Sequence, residues 1–206
     1  MMTVNVMIFL YESTLNDPAL TAFVTRYGLI PADVAYALDH GGIGLTMFLP
    51  FFTSMFLHGG WMHLIGNMLF LYVFGDNVED RFGHAKYLIF YFLAGIAAAI
   101  AQTIVNLEAT VPMIGASGAI AGVLGAYILM FPRAKVVTLI PIVIFIRTIE
   151  LPAFMFLGIW FIMQMMSASL ALGIGGDAGG VAWWAHIGGF LAGVMLVPFF
   201  RKSPWR

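Results

Sequence analysis

Residues 181–200 read VAWWAHIGGFLAGVMLVPFF, twenty residues without a single Asp, Glu, Lys or Arg. A helix needs about 20 such residues to cross a bilayer, so this stretch is composed for lipid and not for water. Comparable runs lie at Tyr87 to Val105, Ala116 to Phe131 and Leu151 to Leu172, with another inside Leu45 to Phe74. Gly59-Gly60 interrupts the last run, and a helix starts more readily at Trp61 than it crosses two glycines. The expectation is a span from Trp61 to about Phe74, preceded by a membrane-dipping loop from Leu45 to His58. The opening segment, Thr3 to Tyr11, would give about 14 Å of helix against a hydrocarbon core of about 30 Å. The expected fold is therefore an all-α polytopic membrane protein of six helices with the first one truncated, forming one domain over residues 1–206. A natural product that starts upstream of Met1 is expected as well.

Composition agrees. Of 206 residues, 62% are hydrophobic and 9% charged, where a soluble domain carries roughly a quarter charged. A net charge of −1 offers no field for nucleic acid, and the absence of cysteine excludes disulfides and thiolate metal sites. Met1–Leu10 lacks a basic n-region and runs into Tyr11-Glu12, so no cleavable signal peptide is expected. With the N-terminus inside and six spans, the inner loops hold Arg81, Lys86, Arg133, Lys135, Arg147, Arg201, Lys202 and Arg206, and the outer loops only Arg26. That asymmetry is a strong positive-inside signal. The long loop Glu12 to Pro50 then lies outside, its Arg26–Pro31 stretch reading as a turn followed by extended chain. The apolar stretch Leu139 to Glu150, with Pro141 and Arg147, reads as an interfacial or re-entrant hairpin on the inner side.

Ionisable groups inside spans are costly and point to function. All ten carboxylates fall in loops or at span ends, Asp177 among them in a glycine-rich outer loop. A pair of membrane-embedded catalytic aspartates is therefore excluded, and so is the buried acid of a proton-coupled transporter. His58-Gly-Gly-Trp-Met-His63 lacks the glutamate and the spacing of a helical zinc site. What remains at depth is His63 with Asn67 a turn later, Ser117, and His186. Spans two, four and six carry them, all three running from outside to inside, so the polar sites share one depth just below the outer surface.

The residue types suggest a chemistry. A serine hydroxyl becomes nucleophilic beside a base, and histidine has the right basicity. Near a helix N-terminus Ser117 has free backbone N–H groups and the positive dipole end for a developing oxyanion, to which His63 and Asn67 could add donors. No carboxylate is placed to orient His186, which favours a Ser–His dyad over a triad. Gly118-xxx-Gly122 and Ala185-xxx-Gly189-xxx-Gly193 have the spacing that brings membrane helices together, and packing along them would bring Ser117 to His186. Each feature alone has a plainer reading. Small-residue stripes are mostly packing, and a histidine near a span end is mostly interfacial, as expected for His84, with His40 a solvated loop residue. His58 is left open, as a residue that caps or hydrogen-bonds the start of span two. Trp61, Trp160, Trp183 and Trp184 read as interface-belt residues, and the run Met163–Met166 as lipid-facing or core.

His58-x-x-x-x-His63-x-x-x-Asn67, then Gly115-x-Ser117-Gly118, then Ala185-His186-x-x-Gly189-x-x-x-Gly193, together resemble the pattern of the rhomboid intramembrane serine proteases, and Glu79-x-Arg81-x-Gly83 matches a further element. The resemblance covers about residue 25 onward. It implies a rhomboid-like six-helix bundle with Ser117 as nucleophile and His186 as general base. Oxyanion help would come from His63, Asn67 and the Ser117 backbone, with Gly115, Gly118, Gly122, Gly189 and Gly193 packing around the site. It implies cleavage of transmembrane protein substrates near the outer membrane boundary through an acyl-enzyme, without metal or cofactor. Three departures stand out. The aromatic that many members carry four residues after the serine is Ala121, the Trp-Arg pair of the first outer loop is absent (Trp205-Arg206 is a tail), and the first span is incomplete.

Two other readings remain: a rhomboid-like pseudoprotease that binds membrane clients without cutting them, and a small channel using His63, Asn67 and His186 as a polar path. The partners expected are transmembrane substrates and the bilayer, with no nucleic acid; the sequence leaves the oligomeric state open. Without an organelle-targeting segment the expected location is a prokaryotic plasma membrane, the site facing outward.

Overall fold

Helix α6 begins at Trp61, directly after the two glycines, and continues to Phe82. It outruns the expected end near Phe74 because its last two turns, carrying Asp76, Glu79, Asp80 and Arg81, remain helical after the apolar run stops. Gly83 ends it with φ 84°, a left-handed value that a side chain would resist, and α7 starts at once over His84–Val105. The computed structural model describes residues 1–142, 145–173 and 181–201. The expected glycine-rich loop around Asp177 and the tail residues Lys202, Trp205 and Arg206 lie outside them.

Ahead of α6 come α1 (Met2–Glu12), α2 (Asp17–Tyr27), α3 (Pro31–Asp39), the short α4 (Leu45–Phe48) and α5 (Pro50–Thr53), and a 3-10 turn at Ser54–Phe56. The outer loop is thus more helical than expected. Gly28–Ile30 is extended, Ile30 as the proline rule requires, and helices flank the stretch on both sides. Asn16 caps α2 by accepting the Ala19 N–H at 3.1 Å, and Pro31 opens α3 where its missing N–H costs nothing. The dip from Leu45 to His58 is built of α4, α5 and the 3-10 turn, not of irregular chain.

After α7 come α8 (Ser117–Met130), strands β1 (Lys135–Ile142) and β2 (Phe145–Pro152), then α9 (Ala153–Gly173) and α10 (Trp183–Phe200). The expected inner hairpin is an antiparallel β-ribbon, register Lys135↔Pro152 to Ile142↔Phe145. Its β-branched residues, Val136, Val137, Thr138, Ile146, Thr148 and Ile149, suit strands better than a re-entrant helix. Helices α7, α9 and α10 are long and apolar enough to cross a membrane, and α1 and α8 are shorter apolar helices. The protein is a multi-pass, all-α bundle with one small ribbon.

Three helices make the centre. In lipid no hydrophobic force pulls helices together, so close backbone approach through small residues must hold them. Gly122 meets Ala94 and Gly118 meets Ala98 on α7, while Gly188 on α10 meets Ala101. Gly189 and Gly193 of α10 lie against the carbonyls of Gly118 and Gly122 in α8. The paired numbers rise together, so α8 and α10 run parallel with their N-termini side by side. Aromatic side chains fill the wider spaces: Phe74 on Tyr127 at 4.9 Å and Phe82 on Phe90 at 5.0 Å.

Candidate active site

Ser117 is the first residue of α8, where backbone N–H groups have no partner within the helix. The chain reaches it through Gly115, whose φ is 120°. A Cβ there would fall 2.6 Å from His63 Nε2, so glycine alone lets this backbone lie against the imidazole. The Gly115 N–H donates to the Ser54 carbonyl at 2.8 Å, and Met113 exchanges backbone bonds of 2.8 and 3.0 Å with Leu29. These contacts fix the entry to α8 against the 3-10 turn at Ser54–Phe56 and the chain between α2 and α3.

His186 is the fourth residue of α10. The N-terminal turn of that helix is tied to α7, because the Ala185 N–H donates to Gln102 Oε1 at 3.2 Å. His186 Nε2 lies 2.9 Å from Ser117 Oγ. The parallel stripes Gly118–Gly122 and Gly189–Gly193 set that distance, since each side chain projects just before its stripe begins. The other ring nitrogen, Nδ1, lies 2.8 Å from Gln164 Oε1 on α9. Trp160, one turn before Gln164, faces the imidazole at 6.0 Å and 38°, and Trp183 meets it edge-on at 6.1 Å.

His63 and Asn67 occupy one face of α6, a turn apart, opposite Gly115. The Gly59 N–H donates to His63 Nδ1 at 3.3 Å, so in the neutral ring the proton sits on Nε2, the atom that faces Gly115. Asn67 is buried, and its Nδ2 has no hydrogen-bond partner among the described residues. A buried amide donor without a partner costs of order 1–3 kcal/mol. Here it has the character of a group waiting for an acceptor.

The loop that leads into α6 is anchored from α1. The buried carboxylate of Glu12 accepts the His58 backbone N–H at 3.2 Å, and the His58 ring lies 5.2 Å from that of His63. Burial, with His63 beside it, holds the His58 pKa down at about 4, so its ring is neutral at ordinary pH. Its Nδ1 donates to the Phe56 carbonyl at 3.2 Å. His58 therefore shapes the turn before α6 and stays clear of Ser117.

A cavity of about 580 Å³ is lined by His63, Gly115, Ser117, Gly118, Ala185 and His186 among others. A second, of about 230 Å³, holds His63, Asn67, Ser117, Ala121, Trp160 and His186 in its wall. Ser117 and His186 thus stand between two spaces, and among the described residues no Asp, Glu, Lys or Arg lines either of them. Among the described residues no group of His, Cys, Asp and Glu is arranged to hold a metal. The geometry places a hydroxyl within hydrogen-bond reach of an imidazole, with His63 and Asn67 in the wall of the same smaller cavity.

Four residues at or next to the site were not among the site residues expected from the sequence. Gln164 sits in a run read as lipid-facing or core; Met163, Met165 and Met166 are exposed as that reading requires, but Gln164 is turned inward. Trp160 and Trp183 are not mere belt residues, since both rings contact His186. The space that Ala121 leaves is approached from α9 by Trp160. Gln102 was missed although an amide in a span was signal enough. His84 and His40 are both exposed, paired respectively with Glu79 and Tyr36.

Residues 46–203, well over half of the chain, match the family model of the rhomboid domain. Rhomboid-like protein 11, chloroplastic, of Arabidopsis thaliana is 30% identical over 161 residues, covering 75% of this chain and 53% of its own length. Rhomboid protein 1, mitochondrial, of Saccharomyces cerevisiae is 26% identical over 190 residues, covering 90% and 49%. Rhomboid-like protease 3 of Toxoplasma gondii is 30% identical over 151 residues, covering 73% and 51%. The chain spans about half the length of these relatives. Two of them carry organelle names, so the expectation of a prokaryotic plasma membrane is not borne out. The matched domain and these relatives, with the all-α membrane bundle they accompany, place this chain in the rhomboid family.

Proposed function

We propose that this protein is an intramembrane serine endopeptidase that cuts transmembrane proteins near the outer membrane boundary. The observation that carries the reading is the 2.9 Å contact between Ser117 Oγ and His186 Nε2 in the wall of a 580 Å³ cavity. The serine hydroxyl gives its proton to Nε2 as the oxygen attacks the scissile carbonyl. The oxyanion that forms is met by the Ser117 N–H, His63 Nε2–H and Asn67 Nδ2, the last of which has no competing partner to give up. The imidazolium then protonates the leaving amine, and the acyl-enzyme remains. Water, deprotonated by the same imidazole, completes hydrolysis. Small residues around Ser117 leave room for a peptide backbone, and the substrate must unwind there because helical amides are already hydrogen-bonded.

A fluorophosphonate probe tests this directly. Wild-type protein in bilayers should be labelled at Ser117 and should cleave members of a panel of model transmembrane substrates. An inactive client-binding protein or a channel would show neither, and that result would remove the protease reading. The oxyanion assignment has its own test. Asn67→Ala should lower kcat by up to roughly 10²–10³, the cost of one lost donor, with KM nearly unchanged. A rise in KM at constant kcat would mean that Asn67 only packs.

A further inference from the structure

We infer that Gln164 is a positioning residue that fixes the tautomer of His186, making Ser117–His186–Gln164 a working triad whose third member is an uncharged amide. The inference rests on the protease reading above and adds a residue to it. Gln164 lies in the middle of α9, buried, in a run of methionines that otherwise face outward. Its Oε1 stands 2.8 Å from His186 Nδ1.

An amide oxygen only accepts, so Nδ1 must carry the imidazole proton. The lone pair then belongs to Nε2, the nitrogen 2.9 Å from Ser117 Oγ, and the serine hydroxyl donates to it. The opposite tautomer would point Nε2–H at the serine oxygen and leave nothing to take its proton. The energy difference between free imidazole tautomers is small, so one hydrogen bond in a low-dielectric site decides the population. In a soluble triad a carboxylate has this task. A carboxylate buried at this depth would carry a large desolvation cost, whereas an amide meets the same geometry without a charge.

The surroundings leave no other candidate among the described residues. The groups facing the imidazole are Ser117 from α8, His63 from α6 across the shared cavity, Trp183 from its own helix, and Trp160 and Gln164 from α9. Of these His63 is the titratable one, and its Nδ1 is taken by the Gly59 N–H. Trp160 and Gln164 are one helical turn apart, so a single face of α9 supplies both the ring that limits the tilt of the imidazole and the acceptor that sets its proton.

The test uses ¹⁵N-histidine-labelled protein in lipid bilayers, as wild type, Gln164→Met and Gln164→Glu, with ring-nitrogen shifts read by NMR and fluorophosphonate labelling rates measured alongside. Wild-type His186 should show a protonated Nδ1 and a bare Nε2. Gln164→Met, close in shape but without an acceptor, should lose that preference and label tenfold or more slowly, toward the ~10²–10⁴ range of general-base effects. Gln164→Glu presents a pure acceptor only once its carboxyl is ionised, so as pH rises through that ionisation it should regain the Nδ1–H tautomer and most of the labelling rate. A wild-type ring protonated on Nε2 overturns the inference, and so does a Gln164→Met protein that labels as fast as wild type. A Gln164→Glu protein that shows no Nδ1–H tautomer even with its carboxyl ionised would assign the effect to packing and overturn it too. If wild-type protein shows the expected tautomer but is never labelled, the protease reading fails and the positioning role stands.

Discussion

Ser117→Ala and His186→Ala are each expected to abolish cleavage, by a factor on the order of 10⁴ or more, while the chain stays folded. The size follows from the 2.9 Å contact: nucleophile and base act as one unit, so either loss removes the whole attacking system. For the same reason the double variant should be no worse than the worse single one. Folding should survive because Ser117 is flanked by Ala116 and Gly118 at a helix start, and removing one hydroxyl costs the net worth of a hydrogen bond, about 0.5–1.5 kcal/mol. His186→Ala loses more, since the ring bridges Ser117 to Gln164 and touches two tryptophans, and its unfolding temperature should fall measurably. Cleavage of a model transmembrane substrate by purified protein in bilayers reads the activity, and circular dichroism with thermal melting reads the fold. More than a few percent residual cleavage in clean Ser117→Ala protein would end the dyad assignment.

Much of this site is legible in the sequence because membrane spans are so plain. Against a background of Leu, Ile, Val, Phe and Ala, a Ser, an Asn or a His stands out, and Ser117, His186, His63 and Asn67 were each conspicuous for that reason. Depth followed from position along the span, and the glycine stripes told which helices approach. Gln164 was equally conspicuous in type, an amide inside an apolar run, yet the methionines around it drew the reading to the lipid face. Helical phase would have separated them. Met163, Met165 and Met166 point away from the bundle, and Gln164 shares its face with Trp160 and Ala168, the latter fully buried. What stayed hidden was of a different kind. Nothing in the local sequence says that Trp160 faces the imidazole from another helix, or that Glu12 accepts an N–H 46 residues later; such contacts exist only once the bundle has closed. The outer loop misled for a third reason. Short helices opened by Pro31 and Pro50 are too brief to leave a periodicity, so Leu45 to His58 reads only as a membrane-dipping loop, without its helical turns.

Gly193→Val is expected to separate α8 from α10 and to take activity with it. In most cores an added side chain displaces another side chain, at a cost of about 1–3 kcal/mol. At Gly193 the neighbours are the carbonyl carbon, oxygen and Cα of Gly122, and at Gly189 they include the carbonyl group of Gly118. Backbone cannot rotate out of the way, so the helices must move apart as bodies, and the loss should reach or exceed the upper end of that range. Activity should suffer further, because the Ser117–His186 distance depends on this contact, and a misplacement of about 1 Å can cost roughly 10² in rate. Gly158 on α9 is the control. A Cβ there meets nothing within 4 Å, so Gly158→Ala should be neutral or, by helix propensity, slightly stabilising, by up to about 1 kcal/mol. Thermal unfolding of the three proteins in one detergent, beside fluorophosphonate labelling, separates the cases. A Gly193→Val protein that melts and labels like wild type would mean that the glycine stripe does not hold the site together, and the link between helix packing and the Ser117–His186 distance would have to be abandoned.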